Sequence, residues 1–439
     1  MQYKKMLIAG FLFCITVVCV HAQQNGLPPV DTLYLRLDSA ESMFLRNNLA
    51  LLAQKYNIDV QKALEIQAKL YPNPNFSIST TALGRDNNVD PAVHRIFPSP
   101  FTDAGEVSGN LSQEIVIAGK INKAVKLAQS NTKLSEYQFY DLIRTLKYTL
   151  RTDFFNIYYL RESAKVYKEE IDGLQAVVNA YDDQIKQGKF WISEKEVVRV
   201  KAQLYSLQSE YQGLIDQINN TQSELKPILQ VKNLTYIVPL VDTSLVATSD
   251  PLKYPLSLLV DSAYQRRTDL KIAHTATETS RLNYNYQKAL AVPDPSLSIG
   301  YDKQGSYIRD LFMVGVAIDL PFFNRNQGNI KSAKATIKMN ETTERSMELS
   351  VEENVYRALQ QSLDADKLYR KIDPSFGRDY DRLIHAALGA YKSRTMGLLD
   401  FLDFYDSYKQ NTLQINGIKF NKLNALENIN FYTGTNFFN

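Results

Sequence analysis

The chain has 439 residues, of which 44% are hydrophobic and 22% are charged, and its formal net charge is +3. This composition is typical of a folded protein rather than of a disordered or collagen-like chain. The near balance of charge leaves no basic footprint for nucleic acid, so no nucleic-acid partner is expected. A mean hydropathy of −0.28 excludes a protein built of many membrane-spanning helices.

The N-terminus has the features of an export signal. Lys4 and Lys5 precede an apolar run over residues 6–20, and Ala22 is a small residue suited to signal cleavage. We predict a signal peptide over residues 1–22, with an uncleaved anchor as the alternative.

Both cysteines lie inside this segment. Cys14 and Cys19 do not follow the small residue that a lipoprotein signal requires, so no lipid anchor is predicted. The mature chain is then free of cysteine and is expected to have no disulfides, thiol nucleophiles or cysteine-bound metals.

The remaining chain is a duplication. Short motifs recur in the same order at an offset of a little over 200 residues. The recurring pairs are Asp38-Ser-Ala with Asp261-Ser-Ala, Asn48-Leu with Asp269-Leu, Pro72-x-Pro-x-x-Ser-Ile with Pro293-x-Pro-x-x-Ser-Ile, Gly119-x-Ile-x-x-Ala with Gly328-x-Ile-x-x-Ala, and Ala180-Tyr with Ala390-Tyr. We predict a first repeat over 23–230, a linker over 231–255 and a second repeat over 256–439, each with the order helix, strand, strand, long helix, long helix.

Long amphipathic helices give the strongest local signal. Apolar residues are spaced by threes and fours over residues 150–185, Gly188 interrupts them, and a second apolar seam follows. This pattern predicts an antiparallel coiled-coil hairpin over about 119–230. The second half repeats it over about 328–430, on either side of Gly397. Taken alone, these helices would also suit a soluble coiled-coil spacer.

Four segments alternate apolar with small polar residues and predict strands. The predicted strands span about 74–84, about 106–118, about 295–304 and about 311–322. Such segments with aromatic residues at their ends are typical of membrane β-barrels, although a half-buried sheet under a soluble core would alternate as well. Four strands cannot close a barrel, so spanning strands would require several chains to share one wall.

Five longer motifs lie along the two repeats: Tyr71-Pro-Asn-Pro-Asn, Leu111-Ser-Gln-Glu, Pro293-Asp-Pro-Ser-Leu-Ser-Ile, Leu320-Pro-Phe-Phe-Asn-Arg-Asn-Gln-Gly and Asn430-Ile-Asn-Phe-Tyr-Thr-Gly. Through these motifs the chain resembles the TolC-type outer-membrane efflux proteins (outer membrane factors) over almost all of its mature length. The segment that begins at Leu320 is similar to the cation-efflux (CzcC/CusC-like) branch in particular.

The resemblance implies a mainly α fold with membrane β structure. Each chain of a homotrimer would give four strands to a twelve-stranded barrel in the outer membrane, and long helices would form an α-barrel in the periplasm. The channel would be the passive exit duct of a tripartite pump, with a periplasmic adaptor (membrane fusion) protein, an inner-membrane transporter and outer-membrane lipid as partners. It would carry out no catalysis and need no cofactor.

The resemblance also suggests functional residues at the hairpin ends. The ends fall near Gly188 in the first repeat and at Met396, Gly397 and Leu398 in the second, where relatives meet the adaptor. Both glycines could equally serve only as helix caps. In drug-exporting relatives an arginine near the second end helps to lock the entrance, and that position is Leu399 here.

Acidic residues follow the second end. Asp403 and Asp406 stand where relatives often carry acids, and their i, i+3 spacing places them on one helix face. Three copies would form carboxylate rings that favour cations, with Asp400 as the substitute if the register differs by one turn. Acids in a first helical turn also complement the helix dipole without any pore.

Other site classes are not indicated. The mature histidines His94, His274 and His385 are far apart in sequence, and no metal-binding or nucleotide-binding motif occurs.

The competing functions are a type I protein-secretion duct and a soluble periplasmic coiled-coil scaffold. The resemblance implies that the choice of exported substrate belongs mostly to the inner-membrane transporter.

Overall fold

The computed structural model describes residues 31–80, 106–188, 193–304 and 308–438. The predicted signal peptide over 1–22 and the end of the first predicted strand lie outside these residues. In the part of the chain that the structure describes, no helix is both long enough and apolar enough to cross a membrane.

The first half forms strands and helices in the predicted order, after one extra N-terminal strand. Its elements are β1 (Asp31–Arg36), α1 (Leu37–Asn47), α2 (Leu49–Ala68), β2 (Asn75–Thr80), β3 (Val107–Glu114), α3 (Lys120–Lys186) and α4 (Glu194–Leu229). At 1.5 Å per residue, the 67 residues of α3 extend about 100 Å.

The second half repeats this order. After β4 (Thr235–Leu240), α5 (Ser244–Thr248) and a 3-10 turn (Pro251–Lys253), it contains α6 (Leu256–Arg266), α7 (Thr268–Leu290), β5 (Pro295–Asp302), β6 (Leu311–Ile318), α8 (Gln327–Tyr369), α9 (Phe376–Lys392) and α10 (Leu398–Thr433). The duplication predicted from the recurring motifs is therefore confirmed.

The second half differs from the first in its long arm. The helix equivalent to α3 is divided there into α8 and α9. Pro374 lies in the break, where it lacks an N–H and disfavours helical backbone at the preceding residue. The Asp373 carboxylate accepts hydrogen bonds from the backbone N–H of Ser375 at 2.8 Å and from its hydroxyl at 2.9 Å. This local turn restarts the chain as α9.

Strands from both halves form one antiparallel sheet in the order β2-β3-β5-β6. The register aligns apolar residues across all four strands, because Phe76 pairs with Leu111, Leu111 with Ile299, and Ile299 with Val314. Their side chains are 70%, 46%, 59% and 84% exposed, respectively. The opposite face carries small polar residues, since Asn75, Ser112, Ser298 and Gly315 form the neighbouring row. The sheet thus has an exposed apolar face, and β2 and β6 are its edges.

Three separate apolar clusters hold the helices together. The first surrounds Phe44 and Phe154, the second surrounds Leu204 and Phe401, and the third surrounds Val355. The second cluster joins the hairpin of α3 and α4 to α9 and α10. The long body is therefore stabilised at several levels rather than by one central core.

A second, two-stranded sheet lies in a region that sequence patterns do not reveal. β1 pairs in parallel with β4, from Asp31 with Thr235 to Arg36 with Leu240. The Gln222 side chain on α4 secures β4, because its amide donates to the Ile237 carbonyl at 2.6 Å and its oxygen accepts from the Ile237 N–H at 3.1 Å. The segment 231–255, predicted as a linker, thus contains β4, α5 and a 3-10 turn.

Candidate functional site

The first hairpin end begins at the C-terminus of α3. Gly188 has φ of +67°, and its N–H donates to the Ile185 carbonyl at 3.0 Å. Glycine adopts this left-handed conformation without the penalty that a Cβ brings, so Gly188 ends the helix. On the other side of the end, the Ser193 N–H donates to the Glu196 carboxylate at 3.4 Å and helps to start α4.

The second hairpin end uses a different residue for the same turn. Arg394 has φ of +63°, its N–H donates to the Tyr391 carbonyl at 3.0 Å, and the Thr395 N–H donates to the Ala390 carbonyl at 2.9 Å. These two bonds are those of a Schellman motif. Arg394, rather than Gly397, is therefore the counterpart of Gly188.

Gly397 has the opposite role, because it is the N-cap of α10. Its φ is −72°, and its carbonyl accepts the first helical hydrogen bond from the Phe401 N–H at 3.0 Å. Both predicted glycines thus cap helices, one at a C-terminus and one at an N-terminus. The sequence located both ends but did not reveal the Arg394 turn, since arginine carries no signal for left-handed backbone.

The residues beside Gly397 face the protein interior to different degrees. Leu398 is buried in the second apolar cluster, and Met396 is half-buried at its margin. Below them, the Phe401 ring stacks on Tyr391 with centroids 4.6 Å apart and an interplanar angle of 11°. This packing fixes the start of α10 against α9 and leaves Thr395 and Gly397 exposed.

The three candidate acids on α10 have different surroundings. Asp400 and Asp403 are exposed. The Asp406 carboxylate lies 3.2 Å from the Lys409 ammonium and accepts a hydrogen bond from Gln410 at 2.6 Å. Asp403 is thus the better candidate for a charged ring, because the charge of Asp406 is partly neutralised by Lys409 on the same helix.

Leu399 is the residue that the resemblance implies at the arginine position of drug-exporting relatives, and it lies in the first turn of α10. Its side chain is 62% exposed, so it does not take part in the packing that holds Leu398. A leucine cannot form the ion pairs of an arginine.

Among the described residues, the structure brings no histidines together. His274 Nδ1 lies 2.7 Å from the Glu344 carboxylate, while His385 is exposed on α9. His94 lies outside the described residues. Within the described ranges, no group of three histidine, cysteine or acidic side chains is placed to hold a metal ion.

The outer membrane efflux protein family model matches residues 42–229 and 259–435, most of the chain and both repeats. No curated protein matches the chain.

Several solved outer-membrane channels have the same fold. The Campylobacter jejuni CmeC outer membrane channel is 18% identical, with a TM-score of 0.71 over 91% of this chain and 86% of that one. The open state of the Neisseria gonorrhoeae MtrE outer membrane channel is 17% identical, with a TM-score of 0.66 over 91% and 89%. CusC, in a structure that concerns the conformational changes accompanying folding and transmembrane channel formation, is 16% identical. Its TM-score is 0.68, over 91% of this chain and 92% of that one.

These comparisons confirm the resemblance seen in the sequence, and the cation-efflux branch is represented among the matched structures by CusC. They also decide between the channel and the soluble scaffold in favour of the channel. Family members are channels rather than enzymes, and they form trimers that work with an adaptor and an inner-membrane transporter. The chain belongs to the outer membrane efflux protein family, and it is a channel protein of the outer membrane.

Proposed function

We propose that this chain is the exit duct of a tripartite pump, which conducts substrate passively across the periplasm and outer membrane for an RND-type cation or drug transporter. The observation that carries the proposal is the exposed apolar row across β2, β3, β5 and β6. Large side chains such as Val314, which is 84% exposed, would be unfavourable in water and suit a lipid-facing wall.

The open edges of this sheet support a shared wall. β2 and β6 each present one side without a strand partner among the described residues. In lipid every unpaired backbone group costs several kcal/mol, so each edge requires another strand. Three copies placed edge to edge would supply twelve strands, enough to close a barrel.

An unpartnered face on α2 supports the same arrangement. Large apolar side chains recur there by threes and fours and are exposed: Leu49, Leu52, Tyr56, Val60 and Leu64. This spacing forms a coiled-coil seam, which a helix of a neighbouring copy would cover.

We propose Asp403 as the main source of a carboxylate ring at the narrow end of the duct. It is exposed near the start of α10, and three copies around the axis would bring three carboxylates together. Rings of acidic side chains favour cations in a pore. Asp400 lies one turn nearer the end and would add to this field, whereas Asp406 is already paired with Lys409.

Conductance in planar lipid bilayers tests both the duct and the ring. The purified wild-type trimer should form cation-preferring pores. Asp403→Asn should reduce the preference for cations several-fold, and Asp406→Asn should change it less. Glu353→Gln removes an exposed acid from α8 and serves as the matched control.

The possible results separate the two parts of the proposal. A trimer without any pore in lipid contradicts the duct. A pore whose cation preference is the same in wild type and Asp403→Asn contradicts only the ring.

We propose that the adaptor docks at the hairpin ends marked by Gly188, Met396, Gly397 and Leu398. Gly397 is exposed, and a Cβ there would meet only the Asp400 carboxylate, at 3.3 Å. Gly397→Trp should therefore abolish co-purification of the adaptor while the trimer and its conductance persist. Gly213→Trp on α4, where a Cβ meets nothing within 4 Å, is the matched control. Normal adaptor recovery with Gly397→Trp would contradict docking at this end.

A further inference from the structure

A buried lysine connects α10 to the first hairpin. Lys409 is nearly inaccessible, and its ammonium lies 3.0 Å from the Glu210 carboxylate of α4 and 3.2 Å from the Asp406 carboxylate of its own helix. The same ammonium lies 5.6 Å from the centre of the Tyr167 ring on α3. One cation thus contacts groups from three helices at this level.

A third carboxylate faces the same lysine. Glu170 of α3 is only 2% exposed, and its Oε2 has no hydrogen-bond partner among the described residues. Burial is the main cause that raises the pKa of Glu170, to about 8. Lys409 opposes this rise, and the charges of Asp406 and Glu210 add to it.

Other titratable groups surround Glu170. Glu169 and Tyr167 lie on α3, Tyr405 and Tyr408 on α10, and the Tyr380 ring of α9 packs against Tyr408. The Tyr408 hydroxyl donates to Glu169 at 3.4 Å, and the Tyr167 hydroxyl donates to Glu210 at 3.2 Å. Lys409 pairs with the Glu210 and Asp406 carboxylates, so ionised Glu170 would be a third negative charge beside one positive charge.

We propose that Glu170 is a buried proton-binding site that holds α10 against the first hairpin when protonated and weakens that contact when it ionises. An ionised carboxylate without its own cation or hydrogen bonds is strongly unfavourable in a buried position. The helices relieve this cost by admitting water between α3 and α10. Asp403 lies on the same helix as Lys409. The contact between α10 and the first hairpin therefore also controls the position of the proposed carboxylate ring.

Hydrogen–deuterium exchange of the wild-type trimer tests the proposal, with rates corrected for the intrinsic effect of pH. Protection of the α10 segment 398–413 should fall about tenfold or more from about pH 6.5 to about pH 9.5. The reason is that, below the pKa of Glu170 in the closed contact, each added pH unit shifts the equilibrium between the closed and open contact by up to tenfold towards the open one. Glu170→Gln cannot ionise and should keep its protection throughout. Asp172→Asn removes an exposed acid from the same helix and should behave as wild type.

A second variant keeps the test decisive if Glu170→Gln fails to assemble. Asp406 is half-exposed, and Asp406→Asn removes a negative charge that faces Glu170. The transition should then move to lower pH, since ionised Glu170 becomes easier to form beside Lys409. A flat wild-type profile, a wild-type-like transition in Glu170→Gln, or an unmoved midpoint in Asp406→Asn would each overturn the proposal. None of these results depends on the pump or on pore selectivity.

Discussion

Asp153 provides a sharp test of how the first apolar cluster is stabilised. It lies on α3 beside Phe154, is buried, and its Oδ2 has no hydrogen-bond partner among the described residues. Burial, with a smaller effect from the nearby Glu224 charge, raises the pKa of Asp153 to about 7. The ordinary value in an unfolded chain is about 3.9.

The size and sign of the effect follow from this difference. The folded chain binds the proton more tightly than the unfolded chain, so stability is fully present below about pH 4 and is lost as pH rises towards 7. A rise of three pKa units at about 1.4 kcal/mol each gives about 4 kcal/mol in total. About 2.5 kcal/mol of that loss falls between pH 5 and pH 8, because the unfolded form is already mostly ionised at pH 5.

Asp153→Asn removes the ionisation and keeps the side-chain volume. Urea unfolding followed by far-ultraviolet circular dichroism should show that the variant loses about 2.5 kcal/mol less stability than wild type between pH 5 and pH 8. Glu170 and Glu427 also have raised pKa values, so wild type and the variant must be compared at both pH values. Equal losses in the two proteins would refute the reasoning, and Asp172→Asn again provides an exposed control.

Two further predictions concern glycines. At Gly173 a Cβ would lie 2.8 Å from the Tyr405 hydroxyl, so Gly173→Ala should destabilise the contact between α3 and α10 by about 1–3 kcal/mol in the same urea assay; an unchanged midpoint would show that Tyr405 moves freely. Gly188→Ala should lower stability by about 1 kcal/mol because φ is +67°, whereas Gly213→Ala in an open helical position should raise it by about 0.5–1 kcal/mol. Effects of the same sign would contradict the backbone explanation.

Local periodicity predicted much of the fold. The alternation of apolar and polar residues that includes Phe76 and Ile78 predicted β2. The spacing of apolar residues by three and four positions from Leu150 onwards predicted α3. Recurrence of the proline motifs at Pro72 and Pro293 revealed the duplication. These signals are local, so they persist whatever the tertiary contacts are.

Features that depend on distant partners could not be predicted. The parallel pairing of β1 with β4 joins segments about half the chain apart, and no periodicity records such a partner. Lys409 and Glu170 looked like ordinary charges on solvated helix faces, since only the approach of α10 to α3 and α4 buries them. The hairpin predicted over about 328–430 had no break before Gly397, so the division into α8 and α9 at Pro374 was missed, although a proline inside a helical pattern commonly ends or kinks the helix.

The pairing of β3 with β5 has a consequence for how this architecture arose. It joins the second strand of one repeat to the first strand of the next, within a single polypeptide. In the proposed ring, β6 of one copy would meet β2 of its neighbour in the same manner. Six half-length units would therefore satisfy every edge as well as three duplicated ones, so the pairing is the one that fusion of two equivalent units would produce. In such a ring, the break at Pro374 would distinguish the two halves and leave threefold rather than sixfold symmetry.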